Sequence, residues 1–242
     1  MSVEAQPGRV PRLVEVRQNV LKHNDIVARA LRARFREAHV VVISLVSSPG
    51  AGKTSFLEKT LSLLRPVCRV AALVGDLATE NDAARLARSQ APVKQITTGT
   101  LCHLEAEMVK AALDGWDLNE LDVLFIENVG NLVCPASYDL GESLRLVLLS
   151  VTEGEDKPLK YPTVFNTSDV AIVTKMDLAA AVEFDWPNLS RNIQAVRPGM
   201  RVIQVSAKTG EGMPQWLDFL SGFRQSKLSS DQALSGSWRT RF

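Results

Sequence analysis

Several things are scarce in this chain, and each scarcity excludes something. Cysteine occurs three times in 242 residues, as Cys68, Cys102 and Cys134, too few for a disulfide framework. No stretch approaches the roughly 20 uninterrupted apolar residues that span a bilayer. The opening residues, "MSVEAQPGRVPRLVEVRQNV", contain no apolar signal core, so a cytoplasmic protein with no membrane partner is expected. Charge of one sign is also missing: 28 Lys and Arg against 27 Asp and Glu leave a net charge of +1. Such a balance gives no electrostatic case for nucleic acid as the main partner. The rest is ordinary globular composition, 45% hydrophobic and 23% charged, sufficient for one large α/β domain.

Residues 1–11 read as a flexible leader broken by Pro7, Gly8 and Pro11. From Leu13 to Phe35, Val16, Val20, Ile26, Val27, Ala30 and Leu31 lie near one helical stripe and predict an amphipathic N-terminal helix. Short aliphatic runs then alternate with helical stretches. The predicted strands are 40–46, 69–74, 123–128, 144–151, 169–175 and 201–207. Their near-continuous apolar character suits strands buried on both faces. The pattern predicts a single α/β domain over 12–225, with a mostly parallel, doubly wound sheet flanked by helices. The serine-rich segment 226–242 reads as a polar, loosely docked tail.

One stretch carries specific chemistry. "SSPGAGKTS", residues 47–55, stands between the aliphatic run "VVVISLV" and the helical "FLEKTLSLL". It meets the phosphate-loop pattern G-x-x-x-x-G-K-[ST], except that Ser47 replaces the first glycine. Gly50, Ala51 and Gly52 turn backbone N–H groups toward phosphate oxygens, and the following helix, opening with Lys53, Thr54 and Ser55, aims its N-terminus at the same anion. In such a loop Lys53 neutralises β- and γ-phosphate charge, and Thr54 ligates Mg²⁺. The competing reading is a glycine-containing turn with an incidental lysine. The strand–loop–helix setting favours the phosphate loop.

The base is addressed further on. "VTKMD" resembles the guanine motif N-K-x-D, with Thr174 in place of asparagine. Asp177 is placed to accept from guanine N1–H and its exocyclic amine, a pairing that adenine cannot offer. Lys175 supplies an aliphatic stem to cover the base. "SAKTG", beginning Ser206-Ala207-Lys208, resembles the second guanine loop, where the Ala207 N–H reaches O6. Two carboxylates complete a hydrolytic centre: Asp76 at the end of the second predicted strand and Glu127 at the end of the third. Both serve as candidate Mg²⁺-shell or water-positioning groups, since ligands in open α/β sheets sit at the carboxyl ends of strands. No arginine finger is identifiable, so slow hydrolysis is expected.

Cys102 and His103 are adjacent, and Cys134 follows the Glu127–Gly130 element. Thiolate and imidazole suit zinc, nickel and copper(I), although a lone cysteine is more often core filler. Three such ligands are one short of a closed tetrahedral site, which leaves room for water, a second subunit or a client. Cys68 reads as structural.

Taken together, "SSPGAGKTS", "GDLATENDAARL", "GTLCHLEAEM", "ENVGNLVCPASYDLGE", "KYP", "TKMDL" and "SAKTGEGM" resemble the HypB family, the GTPases that assist nickel delivery to [NiFe]-hydrogenase. The resemblance runs from about residue 15 to residue 222. It implies a P-loop domain that binds GTP or GDP with magnesium and forms a GTP-dependent homodimer. It also implies a nickel or zinc site at Cys102, His103 and Cys134, a small HypA-type metallochaperone as partner, and the hydrogenase large subunit as client. Neither the Cys-x-x-Cys-Gly-Cys segment nor the histidine-rich leader of some relatives is present here; only His23 and His39 precede the loop. Two alternatives stand beside this reading: a GTPase chaperone for another metalloenzyme, and a nucleotide-gated scaffold whose cysteines only pack or store zinc.

Overall fold

The computed structural model describes residues 12–76 and 81–236. The expected leader, residues 1–11, and the last six residues of the expected tail lie outside them. Seven strands form one sheet: β1 (Val41–Ser47), β2 (Val70–Asp76), β3 (Val93–Thr97), β4 (Val123–Glu127), β5 (Leu144–Ser150), β6 (Val170–Thr174) and β7 (Arg201–Gln204). Their spatial order is β3-β2-β4-β1-β5-β6-β7, and all six pairings are parallel. The helices are α1 (Arg12–Glu37), α2 (Lys53–Leu64), α3 (Asn81–Ala87), α4 (Ala106–Ala112), α5 (Lys157–Lys160), α6 (Pro162–Thr167), α7 (Trp186–Val196) and α8 (Met213–Gly236).

Every residue of β1, β4, β5 and β6 is buried, as expected of central parallel strands covered on both faces. On one face, Ile43, Leu45, Phe125 and Ile172 pack with Phe56, Leu57 and Leu61 of α2 and Trp216 and Leu220 of α8. The Trp216 indole N–H donates to Thr60 Oγ1 at 3.1 Å, so the buried ring keeps its polar atom satisfied. On the other face, Val42, Leu73, Leu124 and Ile126 pack with α1 and α4, while Val147, Leu149 and Val173 pack with α6 and α7. The result is the three-layer sandwich that the alternation of elements predicts.

Three details differ from the sequence reading. Strand β3 was not expected; it is an edge strand, only half buried through Lys94 and Gln95, so its apolar signal is diluted. Glu127 therefore ends the fourth strand, not the third. On α1, Val20 and Ile26 are 41% and 64% exposed. Ala30 is exposed as well, whereas Val27 and Leu31 are buried as expected; the buried stripe runs Asn24, Val27, Ala28, Leu31 and Phe35, with the i, i+3, i+4, i+7 spacing of a helix face. At the other end, α8 continues through Gly236, so residues 226–236 form helix where a loose polar tail was expected. Serines weaken but do not break a helix already anchored by Trp216.

Beneath one rim of the sheet lies a buried ion pair. Arg145 Nη2 is 2.6 Å from Glu142 Oε1, with side chains 10% and 6% exposed. The arginine also donates to the Ala136 and Tyr138 carbonyls, and Glu142 accepts from Ser44 Oγ and the Leu140 N–H. The pair thus ties the 134–142 segment to β1 and β5. Arg145→Met, which strands a buried carboxylate, is expected to cost about 3–5 kcal/mol in urea unfolding. A loss below about 1 kcal/mol, the range of an exposed pair, would show that the pair is not structural.

Candidate functional site

The carboxyl ends of β1, β2, β4 and β6 open on one rim, where a cleft of about 530 Å³ is lined by residues 47–55, Asp76, Asp82, Arg85, Val129, Gly130 and Lys175. The cleft is built by the loop that joins β1 to α2. Gly50 and Gly52 take φ of 77° and 84°, the left-handed region that favours glycine. Gly52 caps α2 on its N-terminal side, so the first N–H groups of that helix face the cleft.

Lys53 Nζ lies 3.1 Å from Glu127 Oε1, and the two side chains are only 10% and 1% exposed. The same carboxylate oxygen accepts from Thr54 Oγ1 at 2.7 Å. Glu127 Oε2 is buried without a hydrogen-bond partner among the described residues. An unsatisfied buried carboxylate oxygen is costly, and it fits a site that holds a cation or its water. Asp76 ends β2 on the same cleft. Arg85, which the sequence reading missed, also lines the cleft and is held through Nε by Glu58 at 2.8 Å.

A smaller pocket of about 220 Å³ adjoins the loop and is lined by Gly52, Ser55, Thr174, Lys175, Asp177, Ala207 and Lys208, among others. Lys175 takes φ 57° and donates from Nζ to the Gly50 carbonyl at 2.7 Å. The Thr174 hydroxyl donates to the Ala51 carbonyl at 2.5 Å, so threonine ties this segment to the phosphate loop. Ser206 Oγ donates to Asp177 Oδ1 at 2.6 Å, joining the two predicted guanine segments. At the base of the loop, Ser48 Oγ donates to Glu153 Oε1, and Glu153 pairs with Lys157 at 3.0 Å.

A second constellation lies along the chain from Glu127. Asn128 Oδ1 accepts from the Leu104 N–H at 3.0 Å and the Val129 N–H at 2.9 Å. Gly130 packs against Pro49, where an added Cβ would meet Pro49 Cα and N at 3.1 Å, a tight contact that would push the two loops apart by a few tenths of an ångström. Asn131 Nδ2 donates to the Cys102 carbonyl at 3.3 Å. These contacts bring Cys102, His103 and Cys134 together with their ligand atoms all within 4.8 Å of one another. The two sulfurs are 3.0 Å apart. His103 is 7% exposed, and neither ring nitrogen has a hydrogen-bond partner among the described residues. Nε2 lies 3.4 Å from Glu105 Oε1, close enough for attraction but without hydrogen-bond geometry. A buried imidazole with open nitrogens beside two thiols fits a soft divalent cation. The His103 ring lies against the Tyr138 ring, tilted by 32° with centroids 3.9 Å apart. Cys68 stands apart, packed at the edge of the core; burial, ahead of the neighbouring Asp122 charge, pushes its thiol pKa up, which suits a structural thiol.

The sequence patterns place the phosphate loop, the guanine segments, both carboxylates and the three metal-type ligands on this rim, and the structure brings each group together. Asn24, Asn128, Tyr138, Glu153 and Arg85 were not anticipated. Asn128 and Tyr138 lie inside "ENVGNLVCPASYDLGE" and Arg85 inside "GDLATENDAARL", but nothing in those patterns singles them out.

The chain matches the family described as CobW/HypB/UreG, nucleotide-binding domain, over residues 41–204. It is 46% identical to the hydrogenase maturation factor HypB of Azotobacter vinelandii over 90% of this chain and 72% of that one. It is likewise 46% identical to the Escherichia coli K12 protein of the same name, over 86% and 72%. The crystal structure of HypB from Helicobacter pylori in complex with nickel superposes with a TM-score of 0.81 at 38% identity, covering 85% of this chain and 97% of that one.

The segment that carries Cys134 and Tyr138 also carries a titratable group with a clear sign. Burial alone would raise the Asp139 carboxyl, but hydrogen bonds from Arg32 and the Gly141 N–H, with the Arg32 charge, hold it below the usual carboxylate range. Its stabilising contribution is therefore complete above the unfolded value of about 4 and is lost as pH falls through the lower folded value. Asp139→Asn is expected to lower stability at neutral pH, and the gap from wild type to close in urea unfolding below about pH 4. A gap independent of pH would contradict this.

Proposed function

The chain belongs to the HypB group of the CobW/HypB/UreG nucleotide-binding family, and from that premise we propose that it is a slow GTPase that binds nickel and passes it on during maturation of a [NiFe]-hydrogenase. One observation carries this reading: a short run of chain, Glu127 to Cys134, leaves the phosphate loop at one end and reaches the Cys102–His103 pair at the other.

Glu127 neutralises Lys53 and accepts from Thr54. GTP entering the cleft takes Lys53 onto its β- and γ-phosphates and draws the α2 N-terminus to the same charge. Thr54, Asp76 and Glu127 are the residues that would hold magnesium and its water shell, and magnesium supplies charge neutralisation across the transferring phosphate. Asp76 orients the attacking water. Lys175 covers the base, Asp177 accepts from guanine N1–H and the amine, and the Ala207 N–H reaches O6, with Ser206 and Lys208 framing the pocket.

When Lys53 and Thr54 turn to nucleotide, Glu127 loses both partners. Asn128 is the next residue, and its amide holds the Leu104 N–H beside His103. A shift of the β4 exit therefore reaches the nickel ligands through one side chain. Cys102, His103 and Cys134 supply three soft donors, and zinc suits the same set with a fourth ligand from elsewhere. A GTP-dependent homodimer would bring two such sets together. Leu101 and Val133, 37% and 63% exposed beside the ligands, offer apolar surface for that contact. The proposed partners are a small HypA-type metallochaperone and the hydrogenase large subunit, in the cytoplasm. No helix among the described residues is long and apolar enough to cross a membrane.

Asp177→Asn is expected to weaken GTP binding by about 10- to 100-fold, the value of a charged hydrogen bond, and to narrow its preference over ATP in competition. Equal competition by ATP in the wild type would overturn the guanine assignment. Cys102→Ala or Cys134→Ala is expected to remove nickel binding in equilibrium titration while GTP hydrolysis persists. Unchanged nickel binding in both would overturn the metal centre.

A further inference from the structure

Asn24 lies on the buried stripe of α1, otherwise made of Val27, Ala28, Leu31 and Phe35, and is 4% exposed. An amide on an apolar stripe is unfavourable unless both its ends are bonded. Both are. Nδ2 donates to the Asp139 carbonyl at 2.8 Å, and Oδ1 accepts from the Ala106 N–H at 2.8 Å. One partner is a carbonyl and the other an N–H, so the orientation of the amide is fixed by its surroundings. These partners belong to the two separate segments that carry the proposed metal ligands. Ala106 follows Cys102 and His103; Asp139 follows Cys134.

Around this bridge the two segments touch. The Tyr138 ring, next to Asp139, lies against His103 with centroids 3.9 Å apart, and Asn131 holds the Cys102 carbonyl. Arg32 of α1 takes the Asp139 side chain at 2.6 Å. Apolar packing by Val27, Leu31 and Phe35 already docks α1 on the sheet, so docking does not require the amide. From this we infer that Asn24 is a positioning residue for the metal centre: its single side chain sets the register of the Cys102–His103 segment against the Cys134–Tyr138 segment. The inference rests on the reading of Cys102, His103 and Cys134 as metal ligands. Residues that orient ligands from behind commonly change affinity by about 10- to 100-fold when removed.

The test is nickel titration of the full chain, followed by the ultraviolet thiolate-to-nickel charge-transfer band, for wild type, Asn24→Ala, Asn24→Gln and Val27→Ala. Val27→Ala loosens the apolar packing of α1 in the cluster that includes Leu104, Ala106 and Leu140, but leaves both Asn24 hydrogen bonds in place. Asn24→Gln keeps the amide but misplaces it, and serves if Asn24→Ala does not fold. Asn24→Ala is expected to weaken nickel by about tenfold or more and to shift the band, with GTP hydrolysis unaltered. Asn24→Gln does so to a lesser degree, and Val27→Ala leaves both affinity and band as in the wild type. If wild type binds nickel and the Asn24 variants bind it equally with the same band, the inference falls alone. It also falls if Val27→Ala weakens nickel as much as Asn24→Ala does. A wild type that binds no nickel overturns the metal reading and this inference with it.

Discussion

The rim of this molecule is organised by one buried carboxylate. Glu127, 1% exposed at the end of β4, is shared between Lys53 and Thr54 of the phosphate loop. A carboxylate that deep is tolerated only while a cation faces it, so it must follow Lys53 or replace it. Central strands hold its backbone in place: β4 pairs with β1 and β2 on its two sides. The side chain and the loop beyond it lie outside those strand pairings. Gly130 against Pro49 means that this loop and the phosphate loop are in van der Waals contact, and displacement of one is felt by the other.

The metal-type ligands sit where that loop arrives. Cys102, His103 and Cys134 are drawn together by contacts made through backbone carbonyls and N–H groups, supplied by Asn24, Asn128 and Asn131. Three amides do this work because an amide both donates and accepts, and each can fix a loop that has no strand neighbour. Arg145 and Glu142 add a rigid floor beneath the same segment. A site held from below by an ion pair and from the side by α1 leaves the Glu127 end as its adjustable edge.

Much of this was legible in the sequence, and what was missed shares a cause. The phosphate loop, the guanine segments and the paired Cys102–His103 are local patterns, so spacing along the chain reveals them. Six of seven strands announce themselves through aliphatic-rich runs; β3 does not, because an edge strand half exposed through Lys94 and Gln95 has no reason to be uniformly apolar. The α1 stripe was legible at Val27 and Leu31 but not at Asn24, which an apolar count passes over and whose burial depends on partners far away in sequence. Tyr138 and Arg145 likewise acquire meaning only once the sheet brings β5 beside β1. The continuation of α8 through Gly236 reflects anchorage by Trp216 more than the pattern of the serine-rich segment itself.

The central claim is that nucleotide and metal share one mobile element. The most direct test is a four-cornered cycle: nickel affinity with GDP and with a non-hydrolysable GTP analogue, and affinity for each nucleotide with and without nickel. The account expects the analogue-to-GDP ratio of nickel affinities to equal the factor by which nickel alters nucleotide preference, within the ~5- to 150-fold range typical of coupled sites. Nickel affinities identical with both nucleotides, alongside nucleotide affinities indifferent to nickel, would contradict it.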